Sequence, residues 1–279
     1  FARYAQFFAL YQSPQLVPEG SSMPEQGILL HQRFLREMEE NRERILPCRT
    51  GAEVDEAVGQ GKAAALLSIE GAELLDCDIR RLDTAYDWGV RLLNPVWNYA
   101  NRLSGSNAQQ PEQGLTAYGR DFLQRMEELS IYVDVSHLSD AGFYDVASHA
   151  KRPFVASHSD ARAICPAVRN LTDDMICLLA EKGGVTGLNF CPSFLNARKG
   201  YQGTAADVAR HAAHIIKVGG EDCLGLGSDF DGIPTHAELP GADAMPVLED
   251  ALAKAGLTAR QRDKVMGENV LRVYREVLG

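Results

Sequence analysis

Apolar residues recur along the chain in two alternating rhythms. Short runs of aliphatic and β-branched residues occupy 5–11, 64–69, 90–96, 131–136, 153–157, 184–190 and 223–228. Longer stretches with apolar positions three and four residues apart fill most of the gaps, at 27–46, 117–129, 141–150, 173–182 and 205–218, and two more, 244–255 and 259–278, close the chain. The first rhythm predicts strands and the second helices. Ala64-Ala65-Leu66-Leu67 is apolar without alternation, as in a parallel strand covered on both faces. Ser139 and Thr172 stand where helix N-caps belong, Thr258-x-x-Gln261 is a capping box, and the last helix is expected to break near Gly267.

Alternation of this kind builds either an open doubly wound sheet or a (β/α)8 TIM-type barrel. No Gly-x-Gly-x-x-Gly follows the first strand, which disfavours the dinucleotide-binding version. The expected class is therefore an α/β barrel. Seven strands are one short of the barrel's eight, and the given sequence opens almost directly on a strand, so the expectation is that a first strand precedes Phe1. No repeat or linker divides the chain, and 1–279 reads as a single, N-terminally incomplete hydrolase barrel domain.

Composition narrows the function classes. With 38 acidic against 28 basic residues the net charge is −10, which argues against nucleic acid or an anionic membrane surface as the main partner. No apolar run is long enough for a transmembrane helix. The six cysteines form no CxxC pair and read as buried or free thiols of a reducing compartment, so a cytoplasmic location is expected.

The strongest chemical signal is positional. Nearly every expected strand ends in a residue able to bind metal or move a proton: Glu70, Trp97-Asn98, His137, His158, Asn189 and Asp229. In a barrel such tips converge on the mouth where active sites are built. Two imidazoles and a carboxylate make a plausible zinc ligand set with an open position. Each residue also has a plainer reading. Glu70 can form a buried ion pair, a lone histidine can be a hydrogen-bonded loop residue, and Asp229 and Asp231 can cap a turn. Arg169 is either a surface partner of Asp173 or Asp174 or a fork for a substrate carboxylate. His31, His149, His211 and His214 lie in helical patterns, where surface or helix-end roles are the default. His236 stays open, and Cys191 has no adjacent base to make it a nucleophile.

Ser68-Ile69-Glu70-Gly71, Val133-Asp134-Val135-Ser136-His137, Ala156-Ser157-His158-Ser159, Arg169-Asn170 and Gly227-Ser228-Asp229-Phe230-Asp231-Gly232 occur in an order that resembles the membrane dipeptidase (renal dipeptidase) family of binuclear zinc peptidases. The similarity runs from Gln6-Phe7-Phe8 to Gly267-Glu268-Asn269-Val270-Leu271-Arg272. The resemblance implies a (β/α)8 barrel, two zinc ions, a homodimer, and hydrolysis of dipeptides with tolerance for a D-residue at the C-terminal position. It implies that Glu70 bridges the ions and that His137 and His158 complete one of them. Arg169 then holds the substrate carboxylate, and Asp229 sits by its amino group and the attacking water. A metal-bridging hydroxide is the implied nucleophile, because zinc lowers the pKa of bound water to about 7. Two departures stand out. The family's opening strand ends in a His-x-Asp pair that supplies ligands to the other zinc, and the given sequence begins beyond it. Animal members carry His where this chain has Trp97, so polarisation of the scissile carbonyl passes to Asn98, a water or the metal. Two alternatives remain: a related amidohydrolase cutting a lactam, an ester or an N-acyl amino acid, and a metal-poor, non-catalytic barrel. A free-against-blocked dipeptide panel separates the first and zinc content the second.

Overall fold

Pro47 decides the first departure from the expected pattern. A helix carried to residue 46 would place the residue before proline in the helical region, which the ring disfavours. In the computed structural model, which describes residues 3–234 and 236–278, the first helix stops at Glu40 and a strand runs over Ile45–Cys48. All seven expected strands are present as well. In chain order the strands are β1 (Ala5–Leu10), β2 (Ile45–Cys48), β3 (Ala63–Glu70), β4 (Val90–Asn94), β5 (Tyr132–Val133), β6 (Val155–Ala156), β7 (Val185–Leu188) and β8 (Leu224–Leu226). The longer helices are α1 (Met23–Glu40), α2 (Gly51–Gly59), α3 (Leu82–Trp88), α4 (Ala117–Glu128), α5 (Asp140–His149), α6 (Asp173–Glu181), α7 (Ala205–Gly219), α8 (Met245–Lys254) and α9 (Asn269–Leu278).

Ser139 and Thr172 cap α5 and α6 as expected, and Thr258 makes its box with Gln261. The closing helix breaks where Gly267 leaves helical geometry. Two further boxes, Ser22 with Glu25 and Thr50 with Glu53, start α1 and α2. No helix among the described residues is long and apolar enough to cross a membrane.

Two compact units emerge: residues up to Arg152 together with the segment from Tyr274, and Pro153–Val273. In the first, five parallel strands are ordered β1-β3-β4-β5, with β2 also on β3. Residues 64–66 of β3 pair with both β1 and β2, and 67–69 with both β1 and β4. A strand has two edges, so β2 and β4 share one edge in tandem. The register shift between Leu67 and Ser68 marks the handover. Residues 64–69 are all buried, which is why the run reads as continuously apolar.

In the second unit three parallel strands are ordered β6-β7-β8. Their C-terminal ends approach closely because two positions lack a side chain. A Cβ on Gly187 or on Gly227 would lie 2.0 Å from the carbonyl oxygen of Ser157. Ser159 N–H donates to Gly187 O and Gly227 N–H to Leu188 O across the same gap. These glycines draw together the tips that carry the site residues of this unit.

Candidate active site

Glu70 ends β3 and pairs in register with Asn94, the last residue of β4. Asn94 Nδ2 in turn donates to Ser136 O at 3.0 Å, fastening the segment that follows β5. There His137 takes a left-handed backbone, φ 76°, and its buried ring lies between two partners. Nδ1 is 2.9 Å from Asn98 Oδ1, and Nε2 is 2.9 Å from Glu70 Oε1. Trp97 packs beside this pair, its ring 6.1 Å from His137, 4.9 Å from Tyr11 and 5.6 Å from Tyr99. Burial, together with the charges of Glu70 and Glu73 and the neighbouring Tyr99, pushes the Tyr11 phenol up to about 12 against an opposing bond with Ser13. Burial also raises the Glu73 carboxyl, whose Oε1 accepts from Asn101 Nδ2 at 2.8 Å. Glu73 and Tyr99 escaped the sequence reading because neither ends an expected strand, and Tyr11, the last residue of its expected strand, was passed over because a phenol gives little signal for metal or proton chemistry.

In the second unit His158 follows β6, and its Nδ1 meets Ser157 Oγ at 2.6 Å. Asn189, fully buried beyond β7, acts as a bracket. Its Nδ2 donates to Asp229 Oδ2 at 3.0 Å and to His158 O at 3.3 Å, and its Oδ1 accepts from Cys191 N–H. Asp229 follows β8 with φ 64° and Asp231 has φ 67°, so with His137 three residues named from the sequence sit in left-handed backbone. Non-glycine residues held this way are strained and cluster at functional sites.

Arg169 is only 8% exposed, a buried position rather than the surface one that one reading allowed. Asp173 accepts from His214 at 2.7 Å. Arg169 rides a loop folded on itself, with Leu171 N–H donating to Asp160 O and Arg162 N–H to Leu171 O. Its guanidinium carbon lies 5.7 Å from the Phe194 ring centre. Asp160 is fully buried beneath this loop. Burial drives its carboxyl up strongly, opposed by the Asn189 N–H on Oδ1 and by the charge of Arg169. The only sequence signal for Asp160 was its place just beyond the His158 tip.

The helical histidines divide. His31 stacks on Trp88 at 4.7 Å. His211 is a correction to its expected surface or helix-end role: it is fully buried, accepting from Ala161 N–H on Nδ1 and meeting Leu195 O on Nε2. Burial drives its pKa down to about 4. His236 is buried too and accepts the N–H groups of Glu238 and Leu239 on Nδ1.

The donor chemistry fits a metal ion. A carboxylate oxygen and an imidazole nitrogen face each other in a partly buried setting while the far side of the ring is already bonded, the arrangement of a ligated histidine.

The membrane dipeptidase family (peptidase family M19) matches residues 3–278. An uncharacterized protein in the pqqA 5′ region of Klebsiella pneumoniae is 38% identical over 242 residues, covering 84% of this chain and 89% of that protein. An uncharacterized dipeptidase of Schizosaccharomyces pombe is 35% identical over 224 residues, 77% of this chain and 53% of its own length, so this chain spans about half of that relative. A solved metallopeptidase of Rhodobacter sphaeroides, liganded with a phosphinate mimic of the dipeptide L-Ala-D-Ala, superposes with a TM-score of 0.89 at 30% identity. That match covers 98% of this chain and 86% of the other. The parallel α/β chain thus has the TIM-type fold class expected from its strand–helix alternation. It belongs to the membrane dipeptidase family of metallopeptidases.

Proposed function

We propose that this chain is a zinc-dependent dipeptidase that hydrolyses dipeptides and accepts a D-residue at the C-terminal position. The observation that carries the reading is the Glu70–His137 pair in a member of a metallopeptidase family. The dipeptide mimic bound by the Rhodobacter enzyme supports the substrate class. Glu70, His137 and His158 are the residues we assign to the metal, with two zinc ions as the full complement and Glu70 shared between them. When bound, zinc acts as a Lewis acid on the peptide carbonyl and lowers the pKa of the attacking water. Both histidines are held through Nδ1, by Asn98 and by Ser157, so Nε2 is the assigned ligand atom of each.

The remaining roles fall to the chain's own side chains. Asp229, oriented by Asn189, takes the proton of the attacking water and delivers it to the leaving amine. Arg169 pairs with the substrate's free carboxylate, and its burial strengthens that pairing relative to a solvated site. Trp97 walls the substrate on the side of His137. A homodimer and a cytoplasmic location complete the proposal, the latter supported by six free thiols.

The test compares a dipeptide with its C-terminal amide. Wild type should strongly prefer the free acid. Arg169→Ala should lose about 2–4 kcal/mol in kcat/KM toward the acid, roughly 30- to 1000-fold, with metal content unchanged and the preference flattened. An identical acid-to-amide ratio in both enzymes would sink the carboxylate assignment, and absence of dipeptide hydrolysis in the zinc-loaded protein would sink the reading as a whole.

A further inference from the structure

The geometry points to Asn98 as a positioning residue for His137 rather than a substrate contact: it fixes the ring tautomer that presents Nε2 to the same point as Glu70 Oε1. This inference rests on the reading of His137 as a metal ligand.

The Asn98 side chain is committed inward, with Oδ1 2.9 Å from His137 Nδ1. An amide oxygen can only accept, so Nδ1 must carry the ring's hydrogen. With Nδ1 carrying the hydrogen of a neutral ring, Nε2 holds a lone pair 2.9 Å from a carboxylate oxygen, which also can only accept. Such a contact closes around a positive charge, either a shared metal ion or the second proton of an imidazolium. The opposite amide orientation would leave Nδ1 as an acceptor and put the hydrogen between Nε2 and Glu70, closing the pair to an ion.

The segment carrying Asn98 is fastened to the segment carrying His137 by bonds that involve neither side chain. Asn107 N–H donates to His137 O at 2.9 Å, Ser106 bridges to Leu138, and Ser139 N–H donates to Gly105 O. The fully buried Ser106 also sends its Oγ–H to Asn98 O, while Gln109 N–H donates to that same Oγ. His137 keeps its left-handed φ of 76° inside this stitching. A strained backbone persists only where its surroundings over-determine it. Here the surroundings are the loop after β4, which makes that loop the mount for a ligand that follows β5.

Zinc and cobalt affinity of the full chain, measured by competition with a chromophoric chelator, tests the role. Asn98→Leu removes the acceptor at similar volume and should weaken ion binding by about 10- to 100-fold. Asn98→Ala, which opens space rather than filling it, should do the same, so the result does not depend on leucine being accommodated. Asn98→Asp still accepts from Nδ1–H and should bind zinc within about threefold of wild type or more tightly, since a carboxylate is the stronger partner. Ion-saturated Asn98→Leu should keep a near-normal KM for a dipeptide. Wild-type ion affinity in the Leu and Ala variants, failure of Asp to restore it, or a raised KM with unchanged affinity would each overturn the inference. His137→Ala separates the two levels. If it keeps wild-type ion affinity, the metal-centre reading falls. If it loses the ion while Asn98→Leu and Asn98→Ala bind normally, only the positioning role falls.

Discussion

The two units hold their site residues by different means. In the first, polar side chains hold one another: Asn98 holds His137, His137 meets Glu70, and Asn101 holds Glu73. In the second, backbone approach does much of the work. Gly187 and Gly227 let three strand ends close around Ser157 O, and the Arg169 loop is tied by its own main chain. A site held by side chains can be emptied of function without losing its shape. One held by close backbone contact cannot be altered without disturbing the fold around it.

The largest effect should come from the first unit. Glu70→Gln keeps size and most packing, but a neutral amide cannot compensate metal charge. Activity should fall at least about 1000-fold, about 4 kcal/mol, with loss of bound metal and an almost unchanged urea-unfolding midpoint of the metal-free protein. A variant that kept its metal and its rate would break the contrast on this side.

Next comes His211 in the second unit, which ties Ala161 to Leu195 and is held neutral there. Its pKa falls from 6.5 to about 4 on folding. The unfolded chain therefore binds this proton first, and the contribution is fully present above pH 6.5 and lost as pH falls toward 4. The shift is worth about 3 kcal/mol of unfolding free energy. His211→Gln should flatten the urea-unfolding stability profile over that interval by a comparable amount. Equal slopes in both proteins would show that the histidine is not buried neutral.

The smallest effect, and the sharpest test of the contrast, is Gly227→Ala. One methyl group placed 2.0 Å from Ser157 O must move backbone, so about 1–3 kcal/mol of stability should be lost in chemical denaturation. Unchanged stability would mean that the strand ends have slack, and the second unit would then resemble the first.

What was legible in the sequence follows the same division. Strands covered on both faces announce themselves as mostly apolar runs, and Glu70, His137, His158 and Asp229 were visible because each directly follows an expected strand. Ile45–Cys48 was hidden because the helical rhythm of α1 ran into it, although Pro47 and the Thr50-x-x-Glu53 box beside it carried the correction. Tyr11, Glu73 and Asp160 lie one to four residues past strand ends, where only folding decides what a loop residue faces. Asn189 was seen as a tip, yet its service to His158 and Asp229 depends on neighbouring strands that no local pattern reveals. His211 misled because a buried histidine on a helix has the same spacing as an exposed one.

The shared edge of β3 sets a limit on how this protein can lengthen. β2 occupies that edge up to Leu66 and β4 begins at Leu67, so the two strands meet end to end with no residue to spare. An insertion that extended β2 by one pairing position would contest Leu67 with Val90, the first residue of β4 and fully buried. Extra residues are better tolerated in the turn between Glu40 and Ile45 than in the step from Cys48 to the helix at Gly51. Length variation among relatives, and any engineered insertion, should therefore gather before β2 and avoid its end.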